Sequence, residues 1–138
     1  MFINPDDDSV RDTLRKSHRI AVIGLSPNPA RPSFGVSKIM RTFGYQIVPV
    51  RPAVAEVLGE KAYPDLQEVS GNIDLVNVFR NARELDPIVD ACIARQVPAL
   101  WIQEGIINEA AAQRARDAGI WVIMDRCIYK DYLRLCRQ

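Results

Sequence analysis

The stretch AVIGLSPNPARPSFG, residues 21–35, decides how the chain folds. An apolar run, Ala21-Val22-Ile23, stops at Gly24, and an amphipathic pattern begins just after Gly35. There Val36, Ile39, Met40 and Phe43 stand at i, i+3, i+4 and i+7, the stripe of a helix with one buried face. A buried strand, a glycine, a loop and a helix make the first unit of many α/β sheets that bind nucleotides. The loop itself is unusual. A dinucleotide loop would read Gly-x-Gly-x-x-Gly, but here Gly24-Leu25-Ser26 is followed by Pro27, Pro29 and Pro32 before Gly35 arrives. Proline fixes φ, and a stiff loop loses less entropy when it closes on a ligand.

Outward from this unit, four more apolar runs read as strands: residues 46–50, 74–79, 98–102 and 121–124, with the first at 19–24. Most are continuous rather than alternating, which suits strands of a parallel sheet covered on both faces. Helical patterns lie between them. Gly44 stands where a left-handed helix end belongs. Asp86-Pro87 reads as an N-cap followed by proline at the first helical position, with Ile88, Cys92 and Ile93 on one face. Asn108 is placed to cap an alanine-rich helix that Gly119 ends, and residues 6–17 and 128–135 read as a leading and a closing helix. Only residues 52–72 lack a clear pattern, with one short helix expected near 65–69. Alternating strands and helices predict an open, doubly wound α/β sheet, one domain over residues 1–138.

Composition excludes several classes. A formal net charge of +1 gives no global attraction to nucleic acid or to an anionic membrane. No apolar run reaches the length of a membrane helix, and the beginning, MFINPDDDSV, lacks the regions of a signal peptide. Cys92, Cys127 and Cys136 are odd in number and have no metal-type spacing, as expected of reduced thiols in the cytoplasm.

In such sheets a ligand sits beyond the carboxyl ends of the strands. That rule selects residues 24–35, 51–53, 79–83, 103–107 and 125–130. They carry Arg31, Arg51, Arg80, Arg83, Arg126 and Lys130 but only Glu104 and Asp125 as acids, a rim suited to a polyanion. Ser26 and Asn28 offer side-chain hydrogen bonds, Ser33 is the expected N-cap, and Gly35 leaves room for a phosphate at the helix start, where amides and dipole favour an anion. Arg51 occupies the place where an NAD enzyme carries Asp or Glu for the ribose 2′-hydroxyl. This argues against NAD and allows NADP or coenzyme A, both of which carry a further phosphate.

Catalytic machinery is not evident. The single histidine, His18, precedes the first strand and so lies at the opposite edge. No His/Cys cluster has zinc spacing, and no metal is expected. Glu104 and Tyr129 are the candidates for proton transfer if the chain were an NADP-dependent oxidoreductase, the alternative reading.

Several stretches taken in order, GLSPNPARPSFGV, GYQIVPVRP, LGEKAYPDL, IDLVNVFR and WIQEGIINEAAAQRARDAGIWVIMDRC, resemble the small stand-alone coenzyme A-binding proteins. These are similar to the N-terminal domain of the succinyl-CoA synthetase α subunit. The resemblance spans about residues 11–135. It implies a Rossmann-like open, mostly parallel five-stranded sheet with helices on both faces, binding coenzyme A. By position, Gly24, Leu25 and Ser26 match the phosphate-binding turn, Gly35 the glycine of the next helix, and Ile102, Gln103 and Glu104 the segment that touches coenzyme A after the fourth strand. Arg51 departs from the family, many of whose members read Asn there. The synthetases use a histidine in a second domain and a partner subunit, neither of which has a counterpart here. The resemblance therefore implies a protein that binds coenzyme A or an acyl-CoA without catalysis, to sense, buffer or present it to a protein partner.

Overall fold

The computed structural model describes residues 1–137. In chain order the elements are α1 (Asp7–Lys16), β1 (Arg19–Ile23), α2 (Pro32–Thr42), β2 (Gln46–Val50), β3 (Glu56–Val57), β4 (Glu60–Lys61), β5 (Leu75–Val78), α3 (Leu85–Arg95), β6 (Ala99–Ile102), α4 (Glu109–Asp117), β7 (Trp121–Met124) and α5 (Ile128–Leu135). Short 3-10 turns cover Leu66–Glu68 and Ala82–Glu84. The main sheet is parallel, in the order β2-β1-β5-β6-β7. The chain steps from β1 outward to β2, then returns to β5 on the other side of β1. This reversal leaves a crevice beyond the ends of β1 and β5.

Both faces of the sheet are covered, which is why the strands are continuous apolar runs. Ala21, Val48, Val76, Val78, Leu100 and Val122 face α3 and α4 through Val89, Cys92, Ala111 and Ala115. Ile20, Val22, Ile47, Leu75, Trp101 and Ile123 face α1, α2 and α5 through Leu14, Met40 and Ile128. Alternate residues of one strand thus serve two cores. Trp101 is fully buried, and its indole N–H donates to Arg126 O at 2.8 Å.

Helix ends follow local chemistry with two corrections. Asp6 caps α1 by accepting from Ser9 N at 2.9 Å, and Asn108 caps α4 by accepting from Ala111 N at 3.0 Å. Gly44 and Gly119 follow α2 and α4 with φ of +101° and +94°, as expected of helix-ending glycines. Asp86 is not a cap: α3 starts at Leu85, continuing directly from the 3-10 turn, and the Asp86 carboxylate instead meets Arg114 at 3.2 Å. Pro87 is tolerated because amides of a first turn have no intrahelical acceptor. Ser33 is also not a cap, since α2 begins one residue earlier with Pro32, and Arg31 holds the cap position without a side-chain bond.

Residues 52–72 hold more than the one short helix expected. A hairpin joins β3 to β4 through Leu58 and Gly59, both at positive φ, as a two-residue hairpin turn requires. Tyr63 then bridges to Val50, extending the sheet edge beside Arg51. Among the described residues no helix is long and apolar enough to cross a membrane.

Candidate functional site

A polar cleft of about 560 Å³ opens at the reversal point between β1 and β5. Its floor is Gly24, the residue after β1. Gly24 has φ +86°, and a Cβ there would stand 2.7 Å from Phe79 O and 2.8 Å from Arg80 Cδ. Only glycine lets the β1 loop pass so close to the end of β5.

The β1–α2 loop is tied by its own side chains. Ser33 Oγ accepts from Ser26 N at 3.0 Å, Ser26 Oγ from Asn28 N at 3.1 Å, and Asn28 Oδ1 from Ala30 N at 3.0 Å. The amides of Ser26, Asn28 and Ala30 are thereby consumed, and Phe34 N and Gly35 N both donate to Arg31 O. Pro32 has no N–H to offer. The helix start therefore presents fewer free amides than its sequence implies. What remains for an anion includes the Ser33 N–H and the two hydroxyls: each hydroxyl accepts from the backbone and keeps its own O–H to donate. Ser26 and Ser33 both line the cleft, as do Asn28, Arg31, Arg51 and Arg80.

Three of the six rim bases thus converge. No carboxylate pairs with Arg31 or Arg51 among the described residues. The Arg51 backbone is fixed by the Tyr63 bridge, its amide N–H donating to Tyr63 O at 2.8 Å. Arg80 pairs with Glu84 at 2.5 Å. That hydrogen bond, with the charge of the guanidinium, holds the Glu84 carboxyl below the usual carboxylate range. Beyond the Arg80–Glu84 pair lies a second cleft, of about 330 Å³, walled by Pro52, Pro64, Leu66, Pro87 and Ile88. Gly24, Arg51, Arg80 and Glu84 border both clefts.

A polar cleft with clustered guanidiniums, continuous with an apolar one, fits a ligand that is anionic at one place and apolar beside it. Residues 18–132 match the family model described as a CoA binding domain. The chain belongs to this CoA-binding domain family. It is 44% identical over 125 residues to uncharacterized protein YneT of Bacillus subtilis, covering 91% of this chain and 93% of that protein. It is 27% identical over 97 residues to the ADP-forming acetate–CoA ligase I of Archaeoglobus fulgidus, covering 70% of this chain but 14% of the ligase. Among solved structures, a hypothetical protein from Pyrococcus horikoshii superposes with a TM-score of 0.91 at 29% identity, covering 98% of this chain and 97% of that one.

The other half of the carboxyl edge of this CoA-binding domain is built differently. Ile102 is fully buried in β6. Gln103 is buried too, and its Oε1 accepts from Ile128 N at 2.9 Å, capping the start of α5. Glu104 is exposed and pairs with Lys130 at 3.2 Å. Arg126 lies 2.7 Å from the buried Asp131 carboxylate and 3.9 Å from Asp7. Asp125 Oδ1 accepts from Gly105 N at 2.7 Å. None of these residues lines either of the two clefts, and neither do Leu25, fully buried, or Gly35, in the first turns of α2. Sequence reasoning missed Asn81 and Glu84. The available signal was Glu84 four residues after Arg80, a spacing that pairs charges across one turn.

His18 lies at the amino edge, where its backbone N–H donates to Asp74. Among the described residues no group of three or more His, Cys, Asp or Glu is arranged to hold a metal ion.

Proposed function

We propose that the chain is a single coenzyme A-binding domain that holds coenzyme A or an acyl-CoA at the carboxyl edge of its sheet and catalyses no reaction of its own. The observation that carries this reading is the meeting of Arg31, Arg51 and Arg80 on one polar cleft with the Ser26 and Ser33 hydroxyls. Coenzyme A presents a diphosphate and a ribose 3′-phosphate, and guanidinium groups suit both. The similarity to an acetate–CoA ligase favours coenzyme A over NADP. Family membership supports the ligand class.

The reading without catalysis rests on the residues around the cleft. They offer no imidazole or thiol to act as base or nucleophile. Burial pushes the Cys92 thiol up to about 12, away from reactive thiolate chemistry. The three cysteines are free, in keeping with a reducing compartment such as the cytoplasm. The ligand would then be sensed, buffered or passed to a protein partner.

Calorimetric titration of the purified protein with coenzyme A, NADP and NAD tests this. Coenzyme A is expected to bind and NAD to give no heat. Binding of NADP with silence from coenzyme A would replace the reading with the reductase alternative. Acyl-CoA hydrolysis or ligation that follows the protein through purification would overturn the absence of catalysis.

A further inference from the structure

The main sheet ends at β2 on one side and at β7 on the other, and the two edges are closed in different ways. In β2 the outward-facing position nearest the end is Pro49, which has no N–H to offer a further strand, and its carbonyl accepts from Tyr63 N at 3.0 Å. In β7 the strand reads Trp121-Val122-Ile123-Met124, with neither proline nor charge. Trp121 N and Asp125 N donate to carbonyls on the β6 side, so the backbone groups of Val122 and Met124 point outward. An uncharged, apolar edge of this kind is a template for another strand.

What covers it is the stretch before α1. Asn4 Nδ2 donates to Met124 O at 2.9 Å, and Asn4 Oδ1 accepts from Met124 N at 2.8 Å. One amide side chain thus stands in for a neighbouring strand. Arg116, from α4, donates to Val122 O at 3.1 Å and to Ile3 O at 2.8 Å. Its guanidinium lies 3.9 Å from the centre of the Phe2 ring, and Phe2 N donates to Glu109 Oε1 at 2.9 Å. Val122 and Met124 are buried as a result, although they belong to an outer strand.

We infer that residues 2–4 and Arg116 form a strap that closes β7 against a second copy of this chain, and that a chain whose strap is released pairs through β7. Three observations favour a second copy as the occupant. Once uncovered, Val122 and Met124 each present one N–H and one C=O outward, so the edge is complementary to itself when inverted about a two-fold axis. A strand without charge, in a chain of net charge +1, leaves little repulsion between copies. Among the described residues the exposed large hydrophobic side chains are Met1, Ile3 and Ile107. All three lie close along the chain to Phe2 or Glu109, whose hydrogen bond ties the strap to α4. Apolar surface gathered at one place marks a protein contact. The strap stands apart from the two clefts, and the inference is independent of the ligand.

Sedimentation equilibrium of the full chain tests this, with circular dichroism to show that each variant is folded. Asn4→Ala removes both bonds to Met124 and leaves two backbone groups in want of partners, and Arg116→Ala uncovers Val122 O. The double variant is expected to rise from the wild-type mass toward twice that mass as its concentration increases. Adding Val122→Pro should return it to the wild-type mass. A proline at an outward position cannot donate across the edge and leaves the bonds to β6 intact, as Pro49 does for β1 in β2. A folded double variant that keeps the wild-type mass overturns the inference. So does a rise in mass that survives Val122→Pro, which would place the contact elsewhere. A wild type whose mass falls on Val122→Pro alone is already paired through β7, and the strap closes nothing. If the double variant does not fold, Asn4→Ala or Arg116→Ala by itself must show the same rise to a smaller extent.

Discussion

The carboxyl edge of the sheet has two halves made from the same materials. Around the ends of β1, β2 and β5 stand Arg31, Arg51 and Arg80; around the ends of β6 and β7 stand Arg126 and Lys130. In the first half two guanidiniums have no carboxylate among the described residues, and two clefts lie open beyond the strand ends. In the second, each cation has an anion within 3.2 Å, and Gln103 spends its carbonyl on α5. The difference follows from strand order. The chain reverses direction between β1 and β5, so the loops diverge and leave space. From β5 to β7 it moves steadily one way, and each loop is packed by the next. A basic rim therefore leaves open clefts only where the connections part.

Substituting two of the positive-φ glycines, Gly24 and Gly105, one in each half of the carboxyl edge, should give the largest contrast. In Gly24→Val, left-handed strain adds to a clash with the Phe79 carbonyl. A stability loss of roughly 2–5 kcal/mol is expected, read from urea midpoints, together with loss of coenzyme A binding. Gly105, at φ +84°, has nothing within 4 Å of a Cβ. Gly105→Ala should then cost only about 1–2 kcal/mol and spare affinity. Equal losses at both sites would show that the close approach at Gly24 is not what shapes the cleft.

Next in size is Arg51→Ala. It should lower coenzyme A affinity by about tenfold to a hundredfold, the value of a charge-assisted contact of roughly 1.5–3 kcal/mol. Stability should stay within about 0.5 kcal/mol. Dephospho-coenzyme A, lacking the 3′-phosphate, should bind mutant and wild type alike. Preserved discrimination in the mutant would point to Arg31 or Arg80 as the 3′-phosphate contact.

Gln103→Leu inverts that pattern. It strips the acceptor from Ile128 N in a buried place, so about 1–3 kcal/mol of stability should go while the folded protein keeps its affinity. A selective loss of coenzyme A binding would return Gln103 to the ligand. Least of all should come from Lys130→Ala. Its ion pair with Glu104 is exposed, with side-chain exposures of 69% and 52%, and such pairs contribute about 0–1 kcal/mol. Measurable weakening of coenzyme A binding in this variant would mean that the ligand crosses into the second half.

Most of the fold was legible because its signals are local. The five main strands, the α2 stripe and the Asn108 cap each depend on a few neighbouring residues. The β3–β4 hairpin was not legible: its strands are two residues long, and Leu58 is an unusual occupant of a left-handed turn position. The start of α3 was misplaced because the 3-10 turn before it runs straight into the helix, so Asp86-Pro87 marks no boundary.

The site divides along the same line. The sequence by itself determined that a glycine-terminated strand leads through a proline-stiffened, serine-bearing loop into an amphipathic helix, and that bases outnumber acids at the strand ends. It could not say which bases are free. Arg126 is neutralised by Asp131 nearby and by Asp7, which lies at the other end of the chain. Ser33 turned from a helix cap into the acceptor for Ser26 N. Such pairings depend on which loops the strand order makes neighbours. Periodicity fixes the face a residue occupies within its own element, whereas charge partners and open space are set between elements, so only the assembled sheet separated the three cleft arginines from the rest.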